Sequence, residues 1–468
     1  MEGSVELREG QYGDKVWALE PGGVEAIPLR ERHGKASSLF AMWMSPNLEF
    51  ATVYVGALGV IIFGLNFWET VIGVVIGNAL GAAAQYVLTQ DGPRYGVPQM
   101  VVGRAAFGKL GNIFPSVLNA GAAGIGWFAV NSVSGAFALS TLTKLSVVLS
   151  LVLVVIAQIV IAFIGHNLVQ AIEKYLFPFL LVFFALASII VLFSHKVHLN
   201  SFAHKTSPGA LLLLIGAVYG YAAGWNPFSS DYSRYLPENV DRKKAGLSAG
   251  LGIFVSATVL EIVGAAAGTA GLHSFDSGNP TGDFTSLLPT FIGDLILIGI
   301  VLGSICANVL NIYSGAMSFL TIGVKIGTNL RRGIFIIIFG LIGFFVARSA
   351  ISNPANNYEN FLLIMSYWIG PWLGVIFADK ILRKGKSIQG MLYANRENIM
   401  GPIAFLIGAV VSIVGFCNQT WGHGKSFRLV LGVVVKHAPD LGDITFLVGF
   451  VISFVIYYFA AGSKVKAE

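Results

Sequence analysis

The sequence predicts an all-α, polytopic membrane protein, and three features predict it. Windows of about twenty apolar residues recur along nearly the whole chain, each long enough to cross roughly 30 Å of hydrocarbon as a helix. The windows are continuously apolar and lack the alternation of lipid-facing barrel strands. Lys and Arg gather on one set of connecting segments. Composition agrees: 55% of residues are hydrophobic and 12% charged, with a mean hydropathy of +0.73, far from the soluble average.

Twelve spans are expected, at 38–64, 67–90, 112–139, 145–165, 168–194, 208–235, 243–271, 294–324, 333–350, 357–382, 400–418 and 442–462. An even count places both termini on one side, and that side carries 23 of the 30 basic residues, including the Arg242-Lys243-Lys244 run and the cluster Lys380, Arg383, Lys384, Lys386. The expected setting is therefore the plasma membrane with both termini cytoplasmic. The formal charge of +6 is accounted for by this topology signal and implies no nucleic-acid partner.

Residues 1–37 mix charges with Gly and lack an apolar core, so they read as a cytoplasmic lead and not as a cleavable signal; 463–468 form a short cytoplasmic tail. The loop HSFDSGNPTGDFTSLLPT at 273–290 has no basic residue and is expected outside, as a short lid. Cys306 and Cys417 fall within spans, so neither a disulfide framework nor a metal site is indicated. No cofactor is expected, and nothing in the sequence fixes the oligomeric state.

Two spans are interrupted. The first contains AMWMSPNLEFATVYVG, with Pro46, and the sixth contains GYAAGWNPFSSDYSRY, with Pro227. Proline removes a backbone donor and clashes with the preceding turn, so each frees backbone groups at membrane depth that must find partners. Either proline alone is equally consistent with a packed kink. Together, five spans apart, they imply a five-plus-five inverted repeat with the substrate site at the breaks: 38–194 as first repeat, 208–382 as second, and 400–462 as two added helices. Beyond Pro227 the helix is expected to restart towards the cytoplasm, with Ser229 or Ser230 capping it and Asp231 in its first turn, where the dipole favours an acid.

Five stretches, WMSPN at 43–47, GPRYGVPQMVVGRAAFG at 92–108, GIGWFAVN at 124–131, GWNPFSSDYSRYLPEN at 224–239 and ANVLNIYSGAMS at 307–318, resemble the purine/cytosine permease family within the nucleobase:cation symporters. The resemblance runs in register over 37–320 and thins to hydropathy alone beyond. It implies the twelve-helix, five-plus-five architecture and cation-driven uptake of flat nucleobases or related heterocycles. It also implies that Asn311 contacts the base, although Leu310 stands where the family usually has Pro.

The residues support a compatible chemistry directly. Trp127 and Asn131, four apart, share one helix face and offer a flat ring beside an amide, which suits a planar heterocycle with alternating donors and acceptors. Trp225 supplies a second ring at the sixth-span break, unless it is a lipid-interface anchor. Ser45 and Asn47 at the first break join the candidate substrate ligands. Ser304, Asn308 and Asn311 form a polar stripe on the eighth span; such stripes also serve as interhelical glue, worth about 0.6 kcal/mol apiece.

Cation coupling needs a charge that changes within the membrane, and intramembrane carboxylates are candidates by default. Glu49 lies just past the first break and Glu261 is embedded in the seventh span. Asp231, with Arg234 nearby, reads as a gate-side ion pair or helix cap, and Glu173 with Lys174 as an interfacial pair. The transported cation is a proton, carried by Glu49 or by Glu261, or alternatively sodium. Sodium-coupled relatives carry adjacent Ser/Thr near the positions of Ile305 and Cys306, where this chain offers only Ser304. An enzyme is not indicated, because no nucleophile–base pair or metal cluster occurs within the spans. A channel filter motif is also missing. An amino-acid or amine carrier on the same fold is the closest alternative.

Overall fold

Apolar windows fold as helices because hydrocarbon offers no partner for an exposed N–H or C=O, and a helix satisfies both internally. In the computed structural model, which describes residues 23–164, 166–200, 207–271, 278–323, 328–419 and 432–467, the regular elements are helical throughout, and no strand ladder occurs among the described residues. The principal helices are α1 (Ser38–Met44), α2 (Phe50–Ile61), α3 (Phe67–Thr89), α4 (Ile113–Gly121), α5 (Phe128–Thr143), α6 (Val147–Ile164), α7 (His166–Leu192), α8 (Pro208–Ala223), α9 (Ser229–Ser233), α10 (Arg242–Gly268), α11 (Thr290–Thr321), α12 (Thr328–Ala350), α13 (Pro354–Arg383), α14 (Met400–Phe416) and α15 (Thr445–Ala460). Among the described residues, seven helical stretches are long and apolar enough to cross a membrane, and five shorter apolar helices accompany them.

Helix starts follow from local chemistry. Asn66 accepts from the Glu69 N–H while Glu69 accepts from the Asn66 N–H, a reciprocal cap that begins α3. Asp241 caps α10 by accepting the Lys244 N–H.

Sidedness is visible on α3, where Ile72, Val75, Ile76 and Leu80 face outward and Gly73, Gly77 and Gly81 lie against α8. Small residues permit the close helix approach that packing in lipid requires. A close crossing joins α2 to α10. A Cβ on Gly56 would collide with the Glu261 carbonyl, and one on Gly264 with the Val53 carbonyl. This crossing holds Glu261 against the helix that follows the first break.

The part of the 273–290 loop that is described does not stand free as a lid. Pro280–Thr285 forms a helical turn, Phe284 packs on Phe50 with ring centroids 5.8 Å apart, and Asn279 Nδ2 donates to Thr141 Oγ1 at 2.6 Å. Residues 273–277 of that loop, and 1–22 of the N-terminal lead, lie outside the described residues. Cys306 and Cys417 are buried and are not joined in a disulfide, and Cys417 lies just past the end of α14.

Candidate functional site

Both proline-containing spans are broken. In the first, α1 gives way to a tight turn at Ser45–Asn47; Leu48 (φ −80°, ψ 67°) and Glu49 (φ −152°, ψ 169°) then leave helical conformation before α2 begins. In the second, α8 ends at Ala223, a turn covers Asn226–Phe228, and α9 restarts at Ser229. Asp231 sits in the first turn of α9 as expected. The capping expectation fails. Neither Ser229 nor Ser230 caps α9: Ser229 Oγ donates to Gln85 Oε1 at 2.6 Å and Ser230 Oγ to Gln99 Oε1 at 2.8 Å. Side-chain amides of α3 and of the segment after it compete successfully for these hydroxyls.

The two breaks meet at Asn47, whose Oδ1 accepts from Trp225 Nε1 at 3.0 Å and from the Tyr221 hydroxyl at 3.1 Å. Asn47 Nδ2 donates to the Trp43 carbonyl at 2.8 Å, and Thr52 Oγ1 donates to the Asn47 carbonyl at 2.6 Å while also bonding Tyr221. Trp225 is 7% exposed and meets Trp43 edge-on at 5.8 Å, so it is not a lipid-interface anchor. Ser45 is buried in the same turn.

Trp127 closes a π-helical turn, Ala122–Trp127, immediately before α5. Such turns are frequent at functional sites because they shift the facing of the side chains that follow. The ring is held edge-on by Tyr221 at 5.6 Å and Phe361 at 4.9 Å. It also abuts Gly224, where a Cβ would come within 2.8 Å of Cζ2. A cavity of 160 Å³ lined by Phe50, Tyr54, Val130, Pro280, Tyr358 and Phe361 lies beside this place, and Phe361, one of its walls, is the ring that meets Trp127 edge-on.

One turn further on, Asn131 Nδ2 donates to Asn308 Oδ1 at 3.0 Å, and Asn311 Nδ2 approaches the same oxygen at 3.5 Å. Asn308 Nδ2 donates to the Phe128 carbonyl at 2.9 Å. Two carbonyl oxygens, Asn131 Oδ1 and Asn311 Oδ1, are buried without a hydrogen-bond partner among the described residues. Ser304 lies behind this cluster. Its hydroxyl donates to the Val301 carbonyl of its own helix at 2.8 Å and faces Gly135 of α5, and its carbonyl accepts from Gln158 Nε2 at 3.3 Å.

Glu49 is 2% exposed, packed beside Gly303 of α11, with Oε2 lacking a partner among the described residues. Glu261 is fully buried; one oxygen accepts from Asn78 Nδ2 at 2.7 Å and the other lacks a partner among the described residues. Asp231 Oδ1 accepts the Gln99 N–H at 2.9 Å, thereby serving the start of a short helix, Gln99–Val102. Arg234 donates to the hydroxyls of Tyr313 and Tyr235, at 2.9 and 3.1 Å, and to the Gly23 carbonyl at 3.0 Å. Tyr232, between them in sequence, donates to the Leu310 carbonyl at 3.2 Å. The side chains of Glu173 and Lys174 lie outside the described residues. No group of three or more metal-ligating side chains occurs among the described residues.

A family described as permeases for cytosine/purines, uracil, thiamine and allantoin matches residues 26–449. The chain belongs to this family. It is a multi-pass membrane transporter and not an enzyme. Among similar proteins, YxlA of Bacillus subtilis, provisionally named a purine-cytosine permease, is 28% identical across 95% of this chain and 96% of its own. The purine-cytosine permease fcyB of Emericella nidulans is 26% identical across 96% of this chain and 91% of its own. A structure of Mhp1, described as a nucleobase-cation-symport-1 family transporter in a closed conformation with bromovinylhydantoin bound, matches with a TM-score of 0.71 at 17% identity, covering 96% of this chain and 99% of that one. At that identity the likeness shows the shared fold.

Several residues of the candidate site escaped the sequence reading. Tyr221 joins Asn47 of the first break to the Trp127 ring, and Phe361 meets Trp127 at the cavity wall; neither type stands out among 15 Tyr and 34 Phe. Gln85 and Gln158 carried a usable signal. Each is a lone amide in an apolar run, AAAQYVL and VVIAQIVIA, and an amide in hydrocarbon requires a partner.

Proposed function

We propose that this permease imports a nucleobase or a related planar heterocycle by proton symport, through alternating access about the two broken helices. The observation that carries the substrate class is the pair of unpartnered carbonyl oxygens on Asn131 and Asn311, buried one turn from the Trp127 ring. An orphaned buried acceptor costs about 1–3 kcal/mol, and the N–H edge of a flat heterocycle supplies the missing donor while its ring stacks on the indole. Asn308 holds the two amides in register, and Asn47, with Ser45, ties Trp225 to the first break. Phe361 moves aside when the ring is occupied. A zwitterionic substrate calls for a counter-charge, and the polar groups at Trp127 and the Asn cluster are neutral amides and hydroxyls.

Coupling is assigned to Glu49, with Glu261 second. A carboxylate buried at a helix break with one oxygen unsatisfied is suited to exchanging a proton as the break changes hydration. The sodium reading draws less support, because the Ser304 hydroxyl is engaged with its own helix and faces α5, away from the first break. The architecture proposed with this function is twelve spans in a five-plus-five inverted repeat plus two, in the plasma membrane, with both termini cytoplasmic.

Uptake competition by a panel of unlabelled bases in cells expressing the chain tests the substrate class; an absence of competition by every base overturns it. Replacing sodium with choline at fixed pH and adding a proton ionophore tests coupling. Loss of uptake in choline together with indifference to the ionophore transfers the role to sodium.

A further inference from the structure

One turn beyond the Trp127 ring, polar groups of α5, α6 and α11 are joined in a continuous chain of hydrogen bonds, and the chain has a direction. It begins at the Ser304 carbonyl, which accepts from Gln158 Nε2 at 3.3 Å. Gln158 Oε1 in turn accepts from the Ser132 hydroxyl at 2.8 Å, and Ser132 Oγ accepts from Asn308 Nδ2 at 3.2 Å. Asn308 Oδ1 then accepts from Asn131 Nδ2 at 3.0 Å and, more distantly, from Asn311 Nδ2 at 3.5 Å. The chain ends on Asn131 Oδ1 and Asn311 Oδ1, which have no hydrogen-bond partner among the described residues although both side chains are buried.

The direction cannot reverse. A backbone carbonyl can only accept, so the first link fixes Gln158 with its NH2 towards Ser304 and its oxygen towards Ser132. The Phe128 carbonyl, 2.9 Å from Asn308 Nδ2, fixes Asn308 independently in the same sense. Ser132 has one proton and two acceptors in reach, Gln158 Oε1 and the Phe128 carbonyl at 2.6 Å, and either choice leaves an oxygen lone pair for Asn308. Asn308 thus has both hydrogens and both lone pairs committed. A side-chain amide can otherwise present either end, because the groups it faces settle which end carries the hydrogens. Here, turning Asn131 over would set two amide oxygens against each other at 3.0 Å, and turning Asn311 over would do the same at 3.5 Å.

We infer that Asn308 is a positioning residue that sets the specificity of the site: held by the Phe128 carbonyl and by the Gln158–Ser132 relay, it turns Asn131 and Asn311 so that the ligand meets two acceptors and must bring two N–H donors. The inference rests on the reading that a planar heterocycle lodges against Trp127 and the Asn cluster. It adds the kind of edge that is selected, one built on an exocyclic amine, whose two hydrogens, alone or with a ring N–H beside them, serve both oxygens. Asn131 and Asn311 each keep one N–H beyond the one given to Asn308, so a ligand acceptor is also welcome. Those nitrogens already have a partner, however, and the oxygens have none. Losing a ligand donor therefore strands a buried group, and losing a ring acceptor does not.

The test uses the purified full-length chain in two arms. Without ligand, the same substitution is compared at two places. Asn311→Leu removes an orphaned acceptor together with the longest bond of the chain and is expected to raise the melting temperature by about 2 °C, whereas Asn308→Leu removes a fully committed amide and is expected to lower it by about 5 °C. With ligand, adenine and cytosine are titrated beside purine and pyrimidin-2-one, which lack the amine, and beside 1-deazaadenine and 3-deazacytosine, which lack a ring acceptor. In wild type, loss of the amine is expected to weaken binding about 10-fold or more and loss of the ring nitrogen about 3-fold or less. In Asn308→Leu, where the freed amides can turn over, the two penalties should converge, whereas a purely structural loss would weaken all six ligands in parallel. Should that variant fail to fold, the wild-type series and Asn311→Leu, in which the amine penalty is expected to shrink about 3-fold, decide the matter. If neither parent base binds while the two melting shifts have opposite signs, the nucleobase reading falls and the oriented chain stands. Melting shifts of the same sign, or deaza analogues weakened as much as the amine-free ones in wild type, overturn the inference.

Discussion

The two broken helices share a proline in a tight turn and differ in what the turn leaves unsatisfied. The break at Asn226–Phe228 is packed with neutral groups: Asn226 Nδ2 donates to the Gly81 carbonyl and to Gln85 Oε1, both at 3.1 Å, and Ser229 also donates to Gln85. The break at Ser45–Asn47 opens instead into two non-helical residues, the second of which is Glu49, a buried carboxylate with one oxygen unpartnered among the described residues. A shared sequence device thus yields two electrical environments. A neutral, hydrogen-bonded break is a hinge or a binding surface. A break that holds a titratable group can also respond to an ion gradient.

The largest effect is expected where that difference is erased. Glu49→Gln should abolish concentrative uptake while substrate exchange remains measurable, and external acid should stimulate uptake by wild type. Radiolabelled uptake and counterflow, at matched surface expression, check both statements. If Glu49→Gln still accumulates substrate against a gradient, the first break is no more electrically specialised than the second.

Next comes the ring adjoining both breaks. Trp127→Ala should weaken substrate binding by about 1–3 kcal/mol, as loss of a stacking platform does for single-stranded bases, and Trp127→Phe should retain part of it. Equal affinity in wild type and Trp127→Ala, by titration of purified protein, removes Trp127 from the substrate.

A smaller change, of stability, is expected at the neutral break. Gln85→Ala strips the shared acceptor from Asn226 and Ser229 and leaves them the Gly81 and Asn226 carbonyls at 3.1 and 2.7 Å, so the lost bonds should cost about 0.5–1.5 kcal/mol in a thermal melt. Comparable stability of Gln85→Ala and wild type would mean that water replaces the amide and that the second break is wetter than its packing indicates.

The smallest effect belongs to Ser304→Ala. Among the described residues its hydroxyl bonds its own helix turn alone, so uptake should change little and stability by about 0.6 kcal/mol or less. Abolished uptake with this variant, restored by raised sodium, would return Ser304 to a cation site at the first break.

What the sequence by itself determined here was whatever the membrane dictates residue by residue. Long apolar runs must be helical, the prolines at 46 and 227 free backbone groups within them, and Trp127, Asn131, Asn308 and Asn311 fall at helical spacing on two segments that the fold then joins through the Asn131–Asn308 bond. Tertiary structure alone decided which freed group pairs with which. Nothing in WMSPN or GWNPF states that Asn47 Oδ1 takes both Trp225 and Tyr221, because that bond joins residues 178 and 174 positions apart. The failed cap at Ser229 has the same origin. A local rule favours its own helix end, but the Ser229 hydroxyl is held instead by Gln85, brought in from 144 positions away, and by the Asn226 carbonyl of the preceding turn. In hydrocarbon, where water satisfies no one, such distant partners outrank local preference, and they become visible only once the helices have packed.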